Sequence, residues 1–130
     1  MNAPINVPLE PRLTIAEGKA ELILGTHQGM HHAAGAVHGA IYFKLLDDSA
    51  FFAANSLVPD VFVLTASFTV EFFRPVVSGA LRAVGEVTKP GRNMIFASSH
   101  LYDTGGNEIG RGTGIFARSK IALTPDVGYR

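Results

Sequence analysis

Residues 18–25 (GKAELILG) are short and rich in apolar side chains, and predict a first strand. A loop, residues 26–37, follows with two glycines and three histidines. Residues 38–56 (HGAIYFKLLDDSAFFAANS) contain no proline, are full of Ala, Leu and Phe, and predict one long helix. After Pro59 the period becomes alternating. Phe62, Leu64, Ala66, Phe68, Val70 and Phe72 share one side, and Val63, Thr65, Ser67, Thr69 and Glu71 the other, as in a long half-buried strand. Arg74-Pro75 ends it. Further strands are expected over 80–88, 94–103 and 108–118, joined by the turns KPGRN and TGGN. The expected order is strand, long helix, then four strands in a meander. A lone apolar helix needs a cover, and a curved antiparallel sheet of five to six strands folded over it provides one, an α+β fold. Pro4, Pro8 and Pro11 point to an extended arm over residues 1–12. Residues 119–130 read as a tail. Residues 1–130 form one expected domain, with neither internal repeat nor linker.

Composition narrows the function. Of 130 residues, 47% are hydrophobic and 17% charged, which excludes a disordered or low-complexity chain. Eleven basic residues balance eleven acidic ones, so nothing points to nucleic acid or an anionic membrane. A near-neutral chain also suggests a surface partly covered by a second copy. There is no cysteine, which removes disulfides, cysteine metal centres and thiol nucleophiles. No apolar run is long enough to span a membrane and no secretory signal is visible, so a cytoplasmic location is expected.

The helix carries the candidate chemistry. At ~100° per residue, Lys44, Asp48 and Asn55 fall within about 40° of one another and make a narrow solvated face. Asp47 lies about 80° from the middle of that face, between Ala40 and Ala54 and next to Phe43. A carboxylate on an apolar flank must be paired, hydrogen-bonded or protonated. Active sites place carboxylates this way to raise their basicity. A helix-edge aspartate bonded to a neighbouring loop would satisfy the same pattern. At the helix start, Gly39 follows His38. The first amides of a helix lack internal partners and carry the positive end of its dipole, and glycine allows close approach. Such an end can hold a carbonyl oxygen that gains negative charge, although a glycine there also suits tight packing of helix on sheet. Gly39 and Asp47 are about 12 Å apart along the axis at 1.5 Å per residue. One carbonyl can meet both only if they come from two copies of the chain, so joint action requires a dimer with composite sites.

The run HGAIYFKLLDDSAFFAANS, followed by ASFTVEFFRP and KPGR, resembles hotdog-fold acyl-CoA thioesterases of the PaaI-like branch, in the 4-hydroxybenzoyl-CoA thioesterase superfamily. The family pattern has HGG at the helix start, an Asp in an L-A-D-x-A run, an F-x-R-P strand end and a Gly-Arg or Gly-Lys turn. Here these read HGA, LLDDSA, FFRP and PGR, over residues 18–118. The resemblance implies a hotdog fold and a catalytic acid at Asp47 rather than Asp48. It implies a carbonyl-polarising amide at Gly39 and a water-orienting hydroxyl at Thr65 or Ser67. Where the family has Asn or Gln, six residues before the His-Gly pair, this chain has His32, which can donate the same hydrogen bond. Asp47 would serve as general base on water or attack the thioester itself. His38 would order the loop, and Arg74, Lys89, Gly91 and Arg92 would meet coenzyme A. Coenzyme A is part of the substrate, and no separate cofactor is implied. The partners implied are the acyl-CoA and further copies of the chain, as a homodimer or a dimer of dimers.

Other signals are weaker. His27, His31, His32 and His38 lack defined ligand geometry, so no metal site is expected. Gly110, Gly112 and Gly114 alternate on one face of the last strand, and no helix follows them. They are expected to admit a neighbouring element or an acyl chain. His100 reads as a satisfied strand residue. Phe51, near the polar arc of the helix, is expected to lie under a partner chain. Two other functions share the fold: hydration or dehydration of enoyl and 3-hydroxyacyl thioesters, which would pair His32 with Asp47, and non-catalytic binding of acyl-CoA.

Overall fold

The computed structural model describes residues 3–122. Among these residues there are six strands, one long helix and two short 3-10 turns, Pro4–Asn6 ahead of the first strand and Gln28–Met30 between the second strand and the helix. The strands are β1 (Arg12–Ala16), β2 (Lys19–Gly25), β3 (Val61–Phe72), β4 (Ala80–Lys89), β5 (Met94–Tyr102) and β6 (Glu108–Ala122), and the helix is α1 (Gly39–Asn55). They form one curved antiparallel sheet in the order β1-β2-β4-β5-β6-β3, wrapped on the helix. The expected α+β architecture is observed, with six strands.

Three expectations change. The N-terminal arm is not extended throughout: it folds into the Pro4–Asn6 turn and then gives β1, whose residues pair with β2 from Arg12↔Ile23 to Ala16↔Lys19. Local sequence hid this strand because it is five residues long and follows three prolines. The four later strands are not a simple meander. β4, β5 and β6 are consecutive neighbours, but β3 pairs with β6 at the far edge, and β4 pairs with β2. The final strand continues to Ala122, past the expected end at Arg118; the rest of the expected tail lies outside the described residues.

The helix is buried on most of its circumference, including Leu45, Leu46, Ser49, Ala50, Ala53 and Ala54. It packs on β4 so closely that a Cβ at Gly85 would stand 2.1 Å from the Ser49 carbonyl oxygen. Asn55, expected on a solvated face, is fully buried. Its amide donates to the carbonyls of Val58 and Val61, and its oxygen accepts from the Val63 N–H. A buried amide is stable there because the loop bends back over the helix end and leaves these backbone groups for it to satisfy. Ser56 accepts from the Gly18 N–H at 2.8 Å, which ties the same helix end to the β1–β2 turn.

Phenylalanines fill the space between helix and sheet. Gly112 and Gly114 admit the Phe68 ring, which a Cβ at Gly114 would meet at 2.3 Å. The neighbour that these glycines were expected to admit is therefore a side chain of β3. Phe51 packs edge-on to Phe52 and against Phe62 of its own chain, and stays partly exposed. His100 contacts Glu108 and stacks on Tyr102, a satisfied strand residue as expected.

Replacing Gly85 with alanine forces the helix off β4. The expected loss of stability is about 1–3 kcal/mol, the usual cost of overpacking. Urea unfolding of Gly85→Ala beside the wild type measures it.

Candidate active site

Asp47 lies midway along α1, on the side facing β3. The Thr65 hydroxyl donates to its Oδ1 at 2.9 Å. This contact depends on an irregularity in β3. Thr65 pairs with Phe116 and Ser67 with Ile115, so Ala66 is an extra residue, a β-bulge. Ahead of the bulge, Val63 is buried and Thr65 reaches the helix; beyond it, Phe68 and Val70 turn inward. The alternation expected along the whole strand therefore breaks at Ala66. Ser67, the other expected hydroxyl, falls on the opposite side. There it lines a shallow depression with Thr69, Phe96 and Thr113, apart from Asp47.

Asp47 and Thr65 line a cleft of about 260 Å³. Its walls are Phe51 and Phe52 of the helix and Phe62, Val63 and Leu64 of β3. Burial pushes the Asp47 carboxyl above the ordinary aspartate range. The Thr65 hydrogen bond draws it partly back, repulsion from Asp48 raises it, and Lys44 lowers it. Lys44 and Asp48 form an ion pair one helical turn apart, as the wheel indicated. The pair is not on a solvated face, however, because the side chains are only 17% and 21% exposed. Leu9 and Pro11 of the N-terminal segment stand beside it. Burial raises the Asp48 carboxyl too, while Lys44 pulls it down.

A second cleft, of about 300 Å³, opens at the start of the helix. It is lined by His32, Gly39, Tyr42, Phe72 and Arg74 among others, and shares no residue with the first. His38 caps the helix: its Nδ1 accepts from the Ala40 N–H at 2.9 Å, and its carbonyl from the Ile41 N–H. The Gly39 N–H has no acceptor among the described residues. The nearest side chain to a Cβ at Gly39 would be the Phe72 ring, at 3.1 Å. His32 accepts from the Ala34 N–H and meets the His38 ring edge-on at 6.3 Å. Arg74 is exposed, and its carbonyl accepts from the Tyr42 hydroxyl.

The structure thus brings the expected residues together in two groups. Asp47 and Thr65 form one; Gly39, His32, His38 and Arg74 form the other. Lys89, Gly91 and Arg92 belong to neither cleft. Gly91 has a local reason to be glycine, because a Cβ there would stand 2.0 Å from the Met94 carbonyl oxygen. Sequence reasoning missed Ala3, Ile5 and Asn6, which line the Asp47 cleft. The prolines signalled a segment without regular pairing, but not where it would dock. Among the described residues no group of three or more His, Asp or Glu side chains is arranged to hold a metal ion. No described helix is long and apolar enough to cross a membrane.

Comparison with known structures finds the same fold repeatedly. The PaaI protein of the Escherichia coli phenylacetic acid degradation operon superposes with a TM-score of 0.87 at 20% identity, over 95% of this chain and 89% of that one. A thioesterase family protein from Silicibacter pomeroyi gives 0.81 at 28% identity, over 92% and 90%. A Thermus thermophilus protein gives 0.84 at 20% identity, over 92% and 100%. The comparison with curated proteins found no match. Residues 34–109, which carry the start of the helix, Asp47 and the long strand, match the thioesterase superfamily. The chain belongs to that superfamily, and is a thioester hydrolase with the hotdog fold.

Proposed function

We propose that the protein hydrolyses an acyl-CoA thioester as a homodimer with composite sites. The observation that supports this best is the separation of the two clefts. A basic, hydrogen-bonded carboxylate lines one, an unpartnered helix-start amide lines the other, and no residue is common to both. The long strand β3 lies at the sheet edge, paired only with β6. Phe43, Leu64 and Phe72 on and beside it are 40–50% exposed. An unprotected edge with apolar neighbours favours pairing with a second copy. In that dimer, Asp47 of one subunit acts across the interface from Gly39 of the other. Thr65 holds Oδ1 of Asp47, and Oδ2 takes the proton of a water. The hydroxide adds to the carbonyl carbon, the Gly39 N–H stabilises the oxyanion, and the C–S bond breaks as Asp47 passes the proton it took from water to the leaving sulfur, releasing coenzyme A as its thiol. Direct attack by Asp47, giving a transient anhydride that water then opens, uses the same groups. His32 and His38 stand beside the Gly39 amide, where a carbonyl-side donor is needed. Arg74 lies at the same cleft, and the Lys89–Arg92 turn supplies cations for the coenzyme phosphates. Met94 and Phe96, exposed on the outer sheet face, offer a surface for pairing dimers. A coenzyme A substrate places the reaction inside the cell.

Variants at Asp47, Gly39 and Thr65 test this arrangement. Asp47→Asn keeps the Thr65 contact but removes the base. Thiol release from a panel of acyl-CoAs is expected to fall at least ~10²-fold. Hydration of an enoyl thioester without thiol release would instead refute the hydrolase assignment. The same variant is expected to be more stable than wild type at neutral pH. A carboxyl whose folded value is raised favours folding below its unfolded value, near pH ~4, and that contribution is lost as pH rises through the folded value. Urea midpoints should therefore diverge at neutral pH and converge toward pH ~4.

Gly39→Pro deletes the amide hydrogen at the one helical position where proline is tolerated. Turnover is expected to drop ~10²–10³-fold with the fold intact. Equal amounts of Gly39→Pro and Asp47→Asn chains, unfolded and refolded together, should recover about a quarter of wild-type activity, since half the dimers then hold one intact site. No recovery would exclude composite sites. Thr65→Val removes the bond that lowers the Asp47 value, so the acid limb of the kcat–pH profile should move to higher pH.

A further inference from the structure

We propose that the N-terminal turn is the wall that sets acyl length in the Asp47 cleft, with Ile5 as the specificity-determining side chain. This rests on the thioesterase reading above. Residues Pro4–Asn6 form a single 3-10 turn, closed by the Asn6 N–H on the Ala3 carbonyl at 2.9 Å and the Val7 N–H on the Pro4 carbonyl at 3.3 Å, and the Glu10 N–H follows it onto the Asn6 carbonyl at 2.8 Å. Leu9 packs on the core and β1 begins at Arg12, so the turn is held from its C-terminal side. Ala3, Ile5 and Asn6 line the same cleft as Asp47 and Thr65.

The burial within the turn is inverted. Asn6, the polar residue, is 5% exposed, while Ile5 and Val7 on either side are 62% and 66% exposed. A segment docked only to cover the core would turn its aliphatic side chains inward. Here the asparagine is the inward anchor, and Ile5 is presented at a cleft whose other walls are phenylalanine rings. An alkyl or aryl group extending from a thioester carbonyl at Asp47 would run between those rings and the turn. It would cover Ile5, which otherwise stands in water. The half-buried Lys44–Asp48 pair lines this cleft as well, so its lining is not uniformly greasy. The discriminating apolar contact on the N-terminal side therefore falls to Ile5.

Because Ile5 is mostly exposed, its replacement leaves the core intact. Ile5→Ala removes the wall and Ile5→Trp enlarges it. The measurement is kcat/KM over straight-chain acyl-CoAs of increasing length. Beside it, calorimetric affinity for S-alkyl-CoA thioethers of the same lengths reports binding without hydrolysis. One buried methylene corresponds to about a fourfold change. The long-to-short ratio should thus rise about tenfold in Ile5→Ala and fall by a similar factor in Ile5→Trp. Ratios unchanged in both variants, with wild-type turnover present, overturn the proposal. If no acyl-CoA is hydrolysed but thioether affinities shift in opposite directions, the hydrolase reading fails and the wall stands. Absence of both hydrolysis and length-dependent binding overturns both.

Discussion

The helix can lie on the sheet only because β4 offers no side chain where the two cross. At Gly85 the Ser49 carbonyl comes within 2.1 Å of the position a Cβ would take, closer than any side chain permits. That approach fixes the height of the helix over the sheet. Its C-terminal end is fixed separately, by the three hydrogen bonds of the buried Asn55 to the loop and to β3. With height and end both set, little freedom remains for the helix to slide along β3. The Ala66 bulge then selects which β3 side chain meets the middle of the helix. The 2.9 Å contact between Thr65 and Asp47 is the product of these constraints. Gly85, Asn55 and Ala66 themselves do not line the cleft.

Asp47 stays basic because its two neighbouring charges act in opposite directions. Lys44 favours the ionised carboxylate, and this is the smallest of the four influences on it. Asp48 engages that ammonium and adds its own repulsion, and for Asp47 the repulsion outweighs the direct attraction of Lys44. Burial therefore remains the dominant influence, and it acts toward the protonated form. A group held this way takes a proton from water more readily than an ordinary surface aspartate. The folded state bears the cost of its ionisation, which is the usual conflict between a working site and maximal stability.

Much of this was legible in the sequence. The long helix and the hairpin turns follow from periodicity, because each is local. What escaped was non-local. Asn55 looked solvated on a helical wheel, since a wheel cannot show a loop folding back to use its amide. The Ala66 bulge left no mark in the alternation, as alanine and threonine suit either face. It nonetheless decided that Thr65, and not Ser67, meets the carboxylate. β1 and the Pro4–Asn6 turn were hidden by prolines that exclude regular helix without revealing where the chain docks. The place of β3 beside β6 rests on pairing between segments some 50 residues apart in sequence, which no local pattern encodes.

That place at the edge links the fold to the proposed assembly. A helix cannot bend to bring its first amide near a side chain two turns along it. A fold with one long helix therefore cannot complete an oxyanion site beside its own mid-helix base. Putting the twelve-residue strand β3 at the sheet edge, directly beside Asp47, exposes one side of its backbone and the apolar side chains around it. Two such edges would, in the proposed dimer, satisfy each other by antiparallel pairing, and a two-fold axis would carry the start of one helix toward the middle of the other. In the proposed dimer, the feature that would otherwise invite aggregation is the one that completes the chemistry.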